Sequence, residues 1–196
     1  MSQKQVQYFF AFPSPFAALA DARIDDLVRG VGAELVPIPI VPPQQPPPEG
    51  LAAQIQEFKA SYSREDAERW ARRLGLPWNA PEQGTVDSTD AVAGWYFARE
   101  KGAERAYRNA VFCARWAEGR DIGNHEVLAD CAERAGLPRG EFLEALRKKQ
   151  YHDEIPKALA LCIQEKVFGV PLFVVNGKRL WGNDRLDFLV EELLGG

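Results

Sequence analysis

The spacing of hydrophobic positions changes period twice along the chain. Near the start, "QVQYFFA" (residues 5–11) predicts a short β-strand, and "AELVPIPI" (33–40) predicts a second. Between them Phe16, Leu19, Ala20, Ile24 and Leu27 recur at helical spacing until Gly30. Within "FPSPFAAL", Ser14 offers an N-cap oxygen and Pro15 suits the first helical position. The prolines of the second run place it at a sheet edge, or end it early. This β-α-β opening favours a parallel pair with a right-handed crossover.

From residue 51 to about 150 the period is helical. Ala67, Trp70, Ala71 and Leu74 make one apolar face before Gly75, with Ser63 and Asp66 as a capping-box-like start. Residues 89–101 and 103–118 predict two more helices. Asn124 caps another, which carries Val127, Leu128, Cys131, Ala132 and Ala135 up to Gly136. Phe142, Leu143 and Leu146 mark the next, and residues 157–167 one more, ending at Gly169. The period then returns to two in "PLFVV" (171–175). Asn176-Gly177 predicts a hairpin turn, and a final helix, capped by Asn183, buries Leu186, Leu189, Val190 and Leu193. The Pro-rich "VPPQQPPPEG" (41–50) reads as an extended connector. The expected organisation is an α/β domain of residues 1–50 and 151–196, with residues 51–150 as an inserted helical subdomain.

Composition narrows the function classes. With 196 residues, 46% of them hydrophobic, the chain can build one large domain or a domain carrying an insertion. Lys plus Arg number 24 against 28 Asp plus Glu, so there is no basic surplus to displace counterions, and no nucleic-acid partner is expected. No run reaches the length of a membrane span and nothing resembles a signal peptide, so a cytoplasmic, non-membrane protein is expected. Cys113, Cys131 and Cys162 are odd in number, form no CxxC and lie in helical patterns among small apolar residues. They read as buried thiols in a reducing compartment. His125 and His152 have no ligand spacing with them, so no metal is expected.

The order of elements resembles a thioredoxin-like fold with a large all-helical insertion, as in DsbA-like and kappa-class glutathione transferase-like proteins. That resemblance implies a cis-proline ahead of the third strand, facing the start of the first helix, and Val170–Pro171 stands in that place. Thioredoxin-like oxidoreductases carry CxxC at the first helix, whereas "PSPF" stands here. With no cysteine nearby, dithiol–disulfide exchange lacks its thiolate. The stretches "YFFAFPSPFAALA", "RWARRLGLPW" and "VFGVPLFVVNGKRLWGNDRLDFL" resemble the kappa-class group, and within it the 2-hydroxychromene-2-carboxylate isomerases. The resemblance implies glutathione as cofactor, a small aromatic 2-oxo acid or related electrophile as substrate, and a homodimer.

Ser14 then has two readings. It is a plain N-cap, or, as the resemblance implies, its hydroxyl bonds the glutathione sulfur and, with the positive end of the helix, favours the thiolate. Val170, before Pro171, is a core residue or offers its backbone to the cysteinyl part. Trp181, Gly182, Asn183 and Asp184 put free amides at the last helix, suited to a carboxylate. Asp184 suits the γ-glutamyl amino group; ordinary capping is the alternative. The acceptor side departs from the family, which places basic and Asn residues after the second strand. Here no Lys or Arg occurs between Val31 and Phe58. Phe16, Lys59, Tyr62 and Trp78 are the acceptor candidates, against a solvated lysine and core aromatics. Three activities stay open: a glutathione-dependent isomerase, a glutathione transferase or peroxidase, and a non-catalytic thioredoxin-like binding module.

Overall fold

A computed structural model describes residues 4–43, 48–81 and 86–195. Four strands form one sheet in the order β2-β1-β3-β4. Strand β1 (Gln5–Phe10) runs parallel to β2 (Glu34–Pro39) through helix α1 (Pro15–Gly30), as the β-α-β opening implies. On its other side β1 pairs antiparallel with β3 (Leu172–Val175), which pairs antiparallel with β4 (Lys178–Trp181). The β3–β4 turn is Asn176-Gly177, both at positive φ (51° and 74°), the conformation a two-residue hairpin needs.

The prolines of β2 fit because of strand parity. The amides of Glu34 and Ile40 donate inward, to the Lys4 and Phe10 carbonyls, each at 2.8 Å. Pro37 and Pro39 have the opposite parity, so their missing N–H groups face outward on an edge strand.

Between β2 and β3 lie α2 (Gly50–Leu74), α3 (Thr89–Glu100), α4 (Glu104–Trp116), α5 (His125–Arg134), α6 (Arg139–Arg147) and α7 (Glu154–Gln164). A 3-10 turn (Asn183–Arg185) and α8 (Leu186–Leu194) close the chain. Alternation along β3 divides the core. Phe173 and Val175 join Tyr8, Phe10, α1, α8 and most of the helices on one face. Leu172 and Val174 join Phe9, Ile38 and the Ala158 and Cys162 side of α7 on the other.

Four expectations change. Cys131 and Cys162 are buried, but Cys113 is exposed, its thiol meeting Glu118 at 3.6 Å on the surface of α4. Helix α2 runs unbroken through Ser63 and Asp66, so no capping box starts there; Asp66 pairs with Arg69 on the same helix. Good helix formers upstream carry the helix through, although Leu51, Ile55, Phe58 and Tyr62 stay exposed and only Ala67 and Ala71 are buried. Helix α7 starts at Glu154, three residues early, because Pro156 falls in its first turn, where no amide is needed. Asn183 does not cap the last helix: it lies buried within the 3-10 turn, and Arg185 precedes α8. Of the 41–50 connector, residues 44–47 lie outside the described residues.

Helix α1 is fixed to α4 by a buried ionic cluster. Arg108 is 0% exposed. Its Nε lies 2.6 Å from Asp21 Oδ1, in ionic contact though not aligned as a hydrogen bond, and its Nη2 is 2.5 Å from Asp25 Oδ2. Burial, opposed by Arg108 and aided by Asp25, pushes the Asp21 carboxyl up to about 6.

Candidate active site

The site forms where the start of α1 meets the loop before β3. Ser14 takes an extended conformation (φ −90°, ψ 117°), and its Oγ accepts from the Ala17 amide at 3.2 Å, so it is a true N-cap. The same oxygen lies 3.4 Å from the Val170 carbonyl, to which the hydroxyl donates. That length is beyond the usual O–H···O range, so the proton is only loosely engaged. Val170–Pro171 is the cis peptide bond among the described residues, as the resemblance implied. The first turn of α1 holds Pro, Phe and Ala but no acid, leaving the positive end of the helix uncompensated. A proton to donate, an open helix start and a facing backbone carbonyl suit a small anionic thiol with a peptide group beside it.

A second cluster follows β4. The Gly182 amide donates to the Pro171 carbonyl at 2.9 Å, so this turn is tied directly to the cis-proline. Gly182 sits at φ 113°, and a Cβ there would lie 2.5 Å from Asp184 Oδ1; only glycine lets that carboxylate fold back over the turn. Asp184 is half-exposed and pairs with Arg185 at 2.8 Å. The Asn183 amide oxygen accepts from Arg23 of α1.

The structure brings Ser14, Val170, Pro171, Gly182 and the Asn183–Asp184 peptide into one neighbourhood through these bonds. The Trp181 ring is elsewhere. Trp181 lies directly opposite Leu172, so its side chain is on the α7 face of the sheet. It packs on Phe168 at 5.1 Å and over Gly169, where a Cβ would meet its Nε1 at 2.9 Å.

The acceptor candidates divide: Phe16 and Trp78 pack against one small cluster of Leu19, Ala67 and Ala71, while Lys59 and Tyr62 lie outside it. Phe16 packs with Leu19, Ala67, Trp70 and Leu74, docking α2 on α1. Trp78 stacks on Trp116 at 5.2 Å and lines a cavity of about 340 Å³ between α1 and α4. Trp116 in turn donates its indole N–H to the Phe12 carbonyl at 3.0 Å, two residues before Ser14. Lys59 and Tyr62 stand on exposed turns of α2. Arg23, Trp116 and the Arg108 cluster escape sequence reading because each acts over long range; Arg23 and Asn183 are 160 positions apart.

Fold and site together define a thioredoxin-like protein with a serine where an attacking cysteine would stand. The chain belongs to the DSBA-like thioredoxin domain family, which matches residues 5–194, and within it groups with the 2-hydroxychromene-2-carboxylate isomerases. The isomerase of Sphingobium xenophagum is 31% identical over 97% of this chain and 98% of its own. That of Pseudomonas putida is 29% identical over 97% and 94%. A solved 2-hydroxychromene-2-carboxylate isomerase structure is similar with a TM-score of 0.80 at 28% identity, covering 97% of this chain and 94% of that one. The protein is thus an enzyme of this family. Among the described residues no helix is long and apolar enough to cross a membrane.

Proposed function

We propose that the protein is a glutathione-dependent isomerase interconverting 2-hydroxychromene-2-carboxylate and trans-o-hydroxybenzylidenepyruvate, or a close relative of that pair. One observation carries the reading: the loosely engaged Ser14 hydroxyl at an acid-free helix start, across from Val170–Pro171, in a chain grouped with these isomerases. Bound glutathione supplies a nucleophilic sulfur that adds reversibly to the conjugated double bond, allows rotation and leaves unchanged. Ser14 donates its proton toward that sulfur, and the first turn of α1 adds its partial positive charge, so the ionised thiol is favoured. Val170 offers its carbonyl to the cysteinyl amide. Asp184, exchanging its exposed partner Arg185, accepts from the γ-glutamyl amino group, while the Asn183–Asp184 backbone faces the carboxylate.

On the same reading, residues 1–50 and 151–196 form the glutathione domain and 51–150 the insert that shapes the acceptor side. Three free cysteines accord with a reducing cytoplasm. The exposed Leu51, Ile55, Phe58 and Tyr62 stripe accords with a homodimer, which sedimentation tests.

The deciding experiment incubates the protein with trans-o-hydroxybenzylidenepyruvate with and without glutathione, following substrate absorbance and total free thiol. Isomerisation that requires glutathione yet leaves the thiol undiminished supports the proposal. Consumption of the thiol would make the protein a transferase or peroxidase. No heat of glutathione binding by calorimetry would leave a thioredoxin-like binding module.

A further inference from the structure

We propose that Arg23 is a positioning residue that sets the Asn183–Asp184 peptide for the γ-glutamyl end of glutathione, an assignment that rests on the glutathione reading above. Arg23 lies on α1, nine residues after Ser14, on the flank facing α2 and α8. Its Nε donates to the Leu19 carbonyl at 3.2 Å, one turn back on its own helix. Its Nη2 reaches across to the Asn183 carbonyl at 2.8 Å and the Asn183 side-chain oxygen at 3.1 Å. The guanidinium also lies 5.9 Å from the centre of the Trp70 ring on α2. Three elements thus meet on one rigid, planar donor.

The geometry fixes a direction. In a trans peptide the C=O and the following N–H point opposite ways. With the Asn183 carbonyl drawn to Arg23, the Asp184 amide is turned away from α1. Asp184 Oδ1 folds back over Gly182 in the same turn, and Gly182 is tied to the Pro171 carbonyl. Helix α1 also carries Ser14 at its start. One residue therefore sets the separation between the group that meets the sulfur and the groups that meet the γ-glutamyl end. A lysine here keeps the charge but loses the fork that engages Leu19 and Asn183 together.

The test compares full-length wild type with Arg23→Lys, and uses Asn183→Ala to approach the same peptide from its other side. Calorimetry measures binding of glutathione and of cysteinylglycine, which lacks the γ-glutamyl group. Exchange of the Arg185 amide, which bonds the Gly182 carbonyl at 3.3 Å, is followed by NMR without ligand. Arg23→Lys is expected to weaken glutathione binding about tenfold, to leave cysteinylglycine binding unchanged and to speed Arg185 exchange. Asn183→Ala is expected to give a smaller loss of the same selectivity. Equal glutathione affinity in wild type and Arg23→Lys, or an equal loss for both thiols, overturns the assignment. Failure of wild type to bind either thiol instead overturns the functional reading and this assignment with it, while Arg185 exchange still reports whether Arg23 anchors the turn.

Discussion

Helix α1 is held by two arginines that work in opposite ways. Arg108, from α4, is fully buried and meets two carboxylates, Asp21 and Asp25. Arg23, on α1 itself, is half-buried and meets neutral oxygens of Leu19 and Asn183. The first contact is strong in Coulomb terms and costly to desolvate, so it fixes where the helix lies and tolerates no loss of a partner. The second keeps part of its solvation and orients a turn at the site. On the proposed function, one flank of α1 serves the fold and the other the chemistry, and the two should then separate under mutation.

The largest separation is expected at Arg108. Arg108→Met leaves the buried Asp21 without its cation and the half-buried Asp25 with Arg105 alone, and should lower stability by about 3–5 kcal/mol. Glutathione affinity per folded molecule should hold. Adding Asp21→Asn and Asp25→Asn to the same chain should return much of the loss. Chemical denaturation alongside calorimetry checks both; a variant that stays stable but loses glutathione would merge the two flanks.

The pH dependence sharpens the same contrast. Asp21 keeps its proton to about pH 6 in the folded protein, against an ordinary value of 3.8. The native state therefore holds the extra proton, and this residue's stabilising share is complete below about pH 4 and lost as pH rises through 6. A shift of that size amounts to ~3 kcal/mol. The stability of wild type relative to Asp21→Asn should fall across that window, and a flat difference would show that Asp21 ionises normally.

On the chemical flank, Asp184→Ala should weaken glutathione binding by roughly 1.5–3 kcal/mol, the worth of a charge-assisted hydrogen bond. Stability should change by under about 1 kcal/mol, because the Asp184–Arg185 pair is exposed. Melting that collapses while affinity stays would make Asp184 structural.

Ser14→Ala gives the finest distinction. Loss of the hydroxyl donor should raise the pKa of the bound thiol by roughly one to two units, about 1.4–2.8 kcal/mol. Turnover near neutral pH should fall and recover as pH rises. The lost N-cap costs about 0.5–2 kcal/mol in stability whichever reading holds, so the thiol titration, read by thiolate absorbance, decides. An unmoved thiol pKa reduces Ser14 to a cap.

What could be read from the sequence divides along similar lines. Ser14 before Pro15, Asn124 before α5 and Asn176-Gly177 declare themselves because capping and turn chemistry are local. Asn183 looked like one more cap and is not, because Arg23 takes its side-chain oxygen from a distant helix. Ser63 and Asp66 carry a capping pattern inside a helix that continues past them, since a three-residue signal is weaker than the helix propensity around it. The acceptor side stayed least legible: Phe16 and Trp78 serve packing contacts, while Lys59 and Tyr62 stand on turns of α2 whose apolar stripe is unburied.

The outward parity of Pro37 and Pro39 has a consequence for how the molecule behaves in a crowded cell. Of the outward amide positions 35, 37 and 39 on β2, only Leu35 retains a hydrogen to offer a neighbouring chain. A strand left with a single donor along its open side makes a poor template for another strand, so the sheet resists growing by recruitment at that border. The prolines that trim β2 thus protect the chain from one common route to aggregation.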